Sequence, residues 1–254
     1  MTKIKADLTG KVALITGGGR GIGRAVALAL ADCGAKVAIA SRTIEELQMV
    51  KAEIEEKGGE CFITTADVSR VSECYEMVEK VYQWYGKLDI LVNSAGINIP
   101  RMAVEVTEED WDKVISINLK GTFFCCQAAG KKMIPQRQGK IINITSQMSF
   151  VGFYKRAAYC ASKGGVTQLT KVLAIEWAPY NINVNCVAPT FLYTPLTKPM
   201  FEDKEFHEEV LNRIPMRRIG DPEDVTGAVI YLASNASDLV TGATILVDGG
   251  WVAW

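Results

Sequence analysis

Short apolar, β-branched runs recur along the chain at Val12–Thr16, Lys36–Ala40, Glu60–Thr65, Leu88–Val92, Lys140–Ile144, Ile182–Val187 and Thr244–Val247. Each has strand length. Between them lie longer stretches whose apolar positions follow helical spacing: Arg24–Cys33, Thr43–Lys57, Val71–Trp84, Glu108–Met133, Ala157–Trp177 and Pro222–Ala233. Strands alternating with long helices, without a linker or an internal repeat, predict parallel strands joined by right-handed crossovers, hence a doubly wound α/β sheet. A ligand of such a sheet sits outside the carboxyl ends of the strands, where the strand order reverses. Pro189–Met216 reads as a long connection rich in apolar residues, a candidate lid.

The 254 residues, 48% of them hydrophobic, suffice for one core, so 1–254 is predicted to be a single domain. A net charge of -1, with scattered lysines and arginines, gives no footprint for nucleic acid or an anionic membrane. Met1–Gly10 has no apolar core of an export signal, and no run approaches the length of a membrane span. Seven cysteines without a Cys-x-x-Cys pair argue against a disulfide framework or a zinc site, so no metal is expected and a reducing, cytoplasmic location is. Cys125, Cys126 and Cys160 read as small packed hydrophobes.

Candidate chemistry begins where Val12–Thr16 breaks into Gly17-Gly-Gly-Arg20-Gly21-Ile22-Gly23 and a helical stretch follows at once. Strand, glycine turn and helix form a phosphate cradle: glycines allow close backbone approach, and the free N–H groups of the helix start favour negative charge. The spacing Gly-x-x-x-Gly-x-Gly differs from the commoner Gly-x-Gly-x-x-Gly, and a flexible turn is the plain alternative. Tyr159 alone among eight tyrosines has a lysine four residues on, Lys163, and it follows Ser146 by thirteen residues. On a helix this places phenol and ammonium on one face. Bringing a phenol from about 10 to about 7 requires roughly 4 kcal/mol, which one cation near 4 Å supplies at an effective dielectric near 20. A buried ring beside a solvated amine is the plain alternative.

Together these residues resemble the short-chain dehydrogenase/reductase family along the whole chain. Thr16-Gly17-x-x-x-Gly21-x-Gly23 is similar to its cofactor loop, Asn93-Ser-Ala95-Gly96 to its Asn-Asn-Ala-Gly segment, and Asn118, Ser146, Tyr159 and Lys163 to its catalytic set. Ser94 replaces the second Asn, and Thr190 replaces the Gly usual after Pro189. The resemblance implies a Rossmann-type fold, a seven-stranded parallel sheet in the order 3-2-1-4-5-6-7 with helices on both faces. It also implies a cofactor-binding part over about 9–145, a catalytic part over about 146–254 with its lid at 189–216, and a homotetramer. Apolar character on more than one face of Gly121–Met133 and Ala157–Trp177, and the apolar end Gly249–Trp254, agree with assembly.

The implied activity is interconversion of a secondary alcohol and a ketone with a nicotinamide cofactor. Tyr159 would move the proton, Ser146 hold the substrate oxygen, and Lys163 lower the phenol pKa and bind ribose hydroxyls. Asn118 would disturb its helix and hold a water toward Lys163. An Asn that merely points outward is the plain alternative. Besides the loop residues Thr16, Gly17, Arg20, Gly21, Ile22 and Gly23, expected cofactor contacts are Ser41, Arg42, Asp67, Val68, Asn93, Ala95, Gly96, Tyr159, Lys163, Pro189, Leu192 and Thr194. Asp67 as a helix cap and Asn93 as a turn residue are the structural alternatives. An Asp or Glu that would bind a ribose 2′-hydroxyl is missing at Ser41-Arg42, and Glu45 and Glu46 are expected to face solvent, so NADP(H) is preferred over NAD(H).

Expected substrate contacts are Ser146, Met148, Phe153, Tyr159 and Tyr193, for a small carbonyl or alcohol substrate. The resemblance points to sugar, polyol or sugar-acid dehydrogenases of the gluconate 5-dehydrogenase and glucose 1-dehydrogenase types. A 3-oxoacyl carrier-protein reductase is the alternative, and would want a basic patch such as Lys131-Lys132, Arg137 and Arg156. A non-catalytic nucleotide-sensing module is the alternative class, though a sensor has no need of the phenol. A serine hydrolase is disfavoured: the only histidine, His207, lies in an acidic stretch as a solvated helix residue, and no Gly-x-Ser-x-Gly elbow exists.

Overall fold

The computed structural model describes residues 7–253. All seven apolar runs form strands: β1 (Val12–Thr16), β2 (Lys36–Ser41), β3 (Cys61–Thr65), β4 (Ile90–Asn93), β5 (Gly139–Ile144), β6 (Ile182–Pro189) and β7 (Thr244–Val247). They lie in one parallel sheet ordered β3-β2-β1-β4-β5-β6-β7. β1 pairs with β2 on one side and β4 on the other, so the chain winds outward in both directions from β1 and leaves a crevice above the β1–β4 carboxyl ends. The helices are α1 (Gly21–Asp32), α2 (Ile44–Glu56), α3 (Val71–Tyr85), α4 (Glu108–Ile115), α5 (Thr122–Gln136), α6 (Ala157–Trp177), α7 (Lys204–Arg213) and α8 (Glu223–Ala233).

The two-residue period of the strands divides the core between the sheet faces. Val12, Leu14, Leu91 and Ile141 pack with Met77 and Val81 of α3, Cys125, Cys126 and Ala129 of α5, and Leu173 and Trp177 of α6. Ala13, Ile15, Ile90, Val92 and Ile142 meet Val26 and Leu30 of α1, Leu47 and Ile54 of α2, and Val225 and Leu232 of α8. Burial on both faces is why β1 reads as an unbroken apolar run instead of alternating.

Glu108–Met133 is helical throughout but not α-helical throughout. α4 ends at Ile115, a π-type turn spans Ser116–Gly121, and α5 continues to Gln136. Asn118 was expected to disturb the helix, and it sits in this wide turn with its side chain bonded elsewhere. Pro189–Met216 also differs from a bare connection. It holds a short 3-10 turn at Lys198–Glu202 and then α7, capped by Asp203, whose Oδ1 accepts from the N–H groups of Glu205 and Phe206 at 3.0 and 3.2 Å.

Val210 of α7 joins Met148, Phe191, Ile214, Ile219 and Trp251 in a third apolar cluster, with Phe153, Phe201 and Phe206 packed against it. His207 is half-buried, not solvated: its ring lies 3.1 Å from the Tyr193 hydroxyl. Trp254, and Met1–Gly10 as far as Ala6, lie outside the described residues. Among the described residues no helix is long and apolar enough to cross a membrane, no His/Cys/Asp/Glu group could hold a metal, and no cysteine is in a disulfide.

Candidate active site

β1 runs directly into the glycine turn and α1. Gly17 has φ +67°, and a Cβ there would lie 2.9 Å from the Ala95 backbone. A Cβ at Gly23 would lie 2.2 Å from the Gly17 carbonyl oxygen, so this loop folds back on itself with room for hydrogen alone. No side chain caps α1, and its first turn bears no acid, which leaves its N–H groups available to an anion.

The turn borders a cleft of about 220 Å³. Of the predicted cofactor set, Gly17, Arg20, Gly21, Ile22, Gly23, Ser41, Arg42, Asp67, Val68, Ala95, Gly96 and Thr194 line it. A second hollow of about 110 Å³, lined by Ser146, Tyr159, Lys163, Pro189, Thr190 and Leu192, shares Ile22, Ser94, Gly96 and Thr194 with the first, so the two form one crevice. A dinucleotide fits these residues: the groove crosses the carboxyl ends of the strands, Gly17, Gly18, Gly19 and Gly23 leave no space for side chains, and the helix start is uncapped.

Two members of the predicted set serve the scaffold instead. Thr16 accepts from the N–H groups of Ser94 and Ala95 at 3.2 and 3.3 Å, tying the β4 loop to β1. Asn93 is buried and donates to Asn143 Oδ1 at 2.8 Å; Asn143 in turn donates to Thr170 at 2.9 Å. Neither Thr16 nor Asn93 lines the crevice. Asp67 does line it, and caps no helix: its carboxylate closes a local turn by accepting from the N–H and hydroxyl of Ser69 at 2.9 and 2.7 Å. Desolvation would raise the Asp67 pKa, but the Ser69 hydrogen bonds and the charges of Arg42 and Arg70 hold it below the usual value.

Glu46 corrects the expectation of a solvent-facing acid. It lines the crevice beside Ser41 and Gly19, and its carboxylate lies 3.4 Å from the Arg20 guanidinium. A carboxylate therefore does stand at this end of the groove, supplied from α2 and not from the end of β2.

At the other end, Ser146 follows β5 and opens the 3-10 turn Gln147–Ser149. Its hydroxyl donates to Gln147 Oε1 at 2.7 Å and accepts from the Met148 N–H at 3.2 Å. Tyr159 and Lys163 lie one turn apart on α6, with the Lys163 Nζ 5.7 Å from the Tyr159 ring centroid. The ammonium donates to the Ile144 carbonyl at 2.8 Å. Burial pulls Lys163 down from 10.5 to about 8. Burial also pushes the Tyr159 phenol above its ordinary value, against the Ser146 hydrogen bond and the charge of Arg156, which favour the phenolate.

Desolvation is the largest influence on both groups, and the ammonium is turned to the Ile144 carbonyl.

Asn118 is fully buried. Its side chain accepts from the Ile97 N–H at 2.8 Å and donates to the Ile97 carbonyl at 2.9 Å and to Ser162 Oγ at 3.1 Å. Thr122 donates to its backbone carbonyl at 2.7 Å. Asn118 thus stitches the segment after β4 to α6 and does not point outward.

Of the predicted substrate contacts, Ser146 and Tyr159 line the crevice, whereas Met148, Phe153 and Tyr193 do not. Phe153 stacks on Tyr154 and meets Phe191, Phe206 and Trp251 edge-on or tilted, forming a wall behind the site. Sequence reasoning passed over the positioning role of Gln147, the inward turn of Glu46 and the burial of Arg156. Nothing in the local pattern marks any of the three.

A family model described as enoyl-(acyl carrier protein) reductase matches residues 17–252. The chain is 42% identical over 248 residues to the 2-dehydro-3-deoxy-D-gluconate 5-dehydrogenase of Dickeya dadantii (strain 3937), with 97% of each covered. It is 43% identical over 245 residues to a 3-oxoacyl-[acyl-carrier-protein] reductase of Thermotoga maritima, with 96% of the chain and 99% of the relative covered. A crystal structure from Beutenbergia cavernae, provisionally named an NAD(P)-dependent gluconate 5-dehydrogenase and holding NADP at low occupancy, superposes with TM-score 0.94 at 37% identity, covering 98% and 99% of the two chains.

The chain belongs to the short-chain dehydrogenase/reductase family. It is an NAD(P)-dependent oxidoreductase that acts on CH–OH groups.

Proposed function

We propose that the protein interconverts a secondary alcohol and a ketone on a sugar, polyol or sugar acid, with NADP(H) preferred over NAD(H). The observation that carries this reading is the convergence of Ser146, Tyr159 and Lys163 on one end of a crevice whose other end is the glycine cradle. A bound nicotinamide dinucleotide supplies or accepts the hydride. Gly17, Gly21, Gly23 and the start of α1 hold its phosphates, and Ser41 and Arg42 lie at the adenosine end. Tyr159 gives or takes the proton of the substrate oxygen, which the Ser146 hydroxyl holds after turning from Gln147. Lys163, buried and near neutrality, exchanges the proton onward.

Thr190, at the departure from the family pattern, lines this hollow and has a buried, unpartnered Oγ1, which supports a hydroxylated substrate. The carrier-protein alternative would dock on a basic patch of which Lys131 and Arg137 are exposed and the other two members are otherwise engaged. Lys132 pairs with Glu79 at 2.6 Å, Arg137 donates to the Pro179 carbonyl at 2.9 Å, and Arg156 is buried. An intact proton-transfer set weighs against a non-catalytic sensor.

The chain acts as one domain, with its cofactor part over about 9–145 and its catalytic part over about 146–254, in the cytoplasm, where its thiols stay reduced. It assembles as a homotetramer, supported by the exposed Val172 and Ile175 (50% and 76%) on α6. A screen of sugars, polyols, sugar acids and 3-oxoacyl thioesters with both nicotinamide cofactors, read by nicotinamide absorbance, tests the reading. Turnover confined to thioesters overturns it.

A further inference from the structure

Arg156 is the one buried arginine among the described residues, at 4% exposure. It sits at the start of α6, three residues before Tyr159, and reaches the turn Lys198–Glu202 that follows the crevice residues Leu196 and Thr197. Neighbouring arginines have carboxylates: Arg213 pairs with Glu209 at 3.0 Å, Arg218 with Asp224 at 2.6 Å, and Arg101 with Asp110. Arg156 has none within pairing distance among the described residues.

Two of its five N–H donors are used, one on the Lys155 carbonyl at 3.1 Å and one on the Met200 thioether at 3.5 Å, a weak acceptor. Its Nε is buried with no acceptor. Glu209, the acid bonded to adjacent Tyr154, is already held by Arg213. A buried guanidinium without a counter-ion is costly to keep, and its fork geometry matches a carboxylate through two parallel N–H bonds.

We propose that Arg156 anchors a carboxylate of the substrate, so that the physiological substrate is a hydroxy or oxo acid and not a neutral polyol. This rests on the reading of the chain as a CH–OH oxidoreductase on sugar-like molecules. The acid enters over the unbranched, adaptable Met200 side chain, which gives up its N–H contact. With Met200 in place Arg156 lines neither hollow of the crevice, so the anchor requires that side chain to move; one end of the substrate is then fixed at Arg156 while its reacting oxygen lies at Ser146 and Tyr159. The Arg156 charge acts on the Tyr159 phenol, in keeping with an anchor close to the reacting centre.

The test uses the full chain and its Arg156→Met and Arg156→Lys variants. Wild type is assayed with D-gluconate and 2-dehydro-3-deoxy-D-gluconate against sorbitol and glycerol, and the ratio of kcat/KM for acid to kcat/KM for neutral alcohol is the readout. Arg156→Met should lower that ratio about 100-fold, the expected scale for removing one partner of a buried charge pair, with the loss mainly in KM. Arg156→Lys should recover part of it. Independently of turnover, either acid should raise the Tm of wild type and not that of Arg156→Met. Equal losses for acids and alcohols, or an acid-dependent Tm rise that survives in Arg156→Met, overturn the anchor. A wild type that turns over nothing, yet shows a Tm rise abolished by Arg156→Met, supports the anchor and removes the proposed activity.

Discussion

Replacing Lys163 with Met should make the cofactor-free protein more stable at neutral pH, although it removes a group placed at the reacting end of the crevice. Burial takes Lys163 from 10.5 to about 8. Each pH unit of that displacement is worth ~1.4 kcal/mol, so keeping the ammonium in the folded chain costs about 3 kcal/mol at neutral pH. Methionine retains the apolar stem but leaves the Ile144 carbonyl without its 2.8 Å hydrogen bond, a loss of about 1 kcal/mol. The net gain is about 2 kcal/mol at pH 7.

Proton counting fixes the sign of its pH dependence. Between about 8 and 10.5 the unfolded lysine keeps its proton while the folded one has lost it, so wild-type stability rises with pH through this window. The advantage of Lys163→Met should therefore shrink to near zero by about pH 9.5. Urea unfolding followed by tryptophan fluorescence, without cofactor and at one protein concentration, measures both points. A variant less stable than wild type at pH 7, or a difference that stays constant between the two pH values, would refute the reasoning.

Other outcomes follow from the same geometry. Gly23→Ala places a Cβ 2.2 Å from the Gly17 carbonyl oxygen and should destabilise by about 1–3 kcal/mol while abolishing tight cofactor binding. Gly227→Ala in α8, with nothing within 4 Å, should instead stabilise by about 0.5–1 kcal/mol in the same denaturation assay. Glu46→Gln removes the carboxylate beside Arg20 and should shift the ratio of NADPH to NADH affinity upward by roughly 3- to 10-fold, the scale of one half-exposed ion pair. Fluorescence titration with each cofactor checks it, and an unchanged or lowered ratio counts against a 2′-phosphate near Arg20.

The strands were legible because a sheet buried on both faces writes each one as a continuous apolar run, as in Val12–Thr16, whereas their order came from the family resemblance. α7 was not, because charged residues crowd Glu202–Glu209 and leave only Phe206, Val210 and Leu211 to mark its inward face. Glycines 17, 21 and 23 and the pair Tyr159 and Lys163 were legible by spacing, since backbone approach and helical periodicity constrain residue type directly, whereas Ser146 entered through the family resemblance. Thr16 and Asn93 show the limit of that reasoning: a side chain at the carboxyl end of a strand can turn to the crevice or to the neighbouring strand, and both turn to neighbours. Glu46 depends on the rotation of α2, and Arg156 on what Met200 and the segment after Leu196 cover, neither of which a local pattern records.

The most direct measurement is turnover and cofactor affinity of Tyr159→Phe, on whichever alcohol or ketone the wild type accepts. Removing only the phenol oxygen should reduce kcat by at least about 100-fold, the lower bound for a proton-transfer group, while NADP(H) affinity stays within about 3-fold of wild type. A variant with near-normal kcat would contradict the assignment of proton transfer to Tyr159.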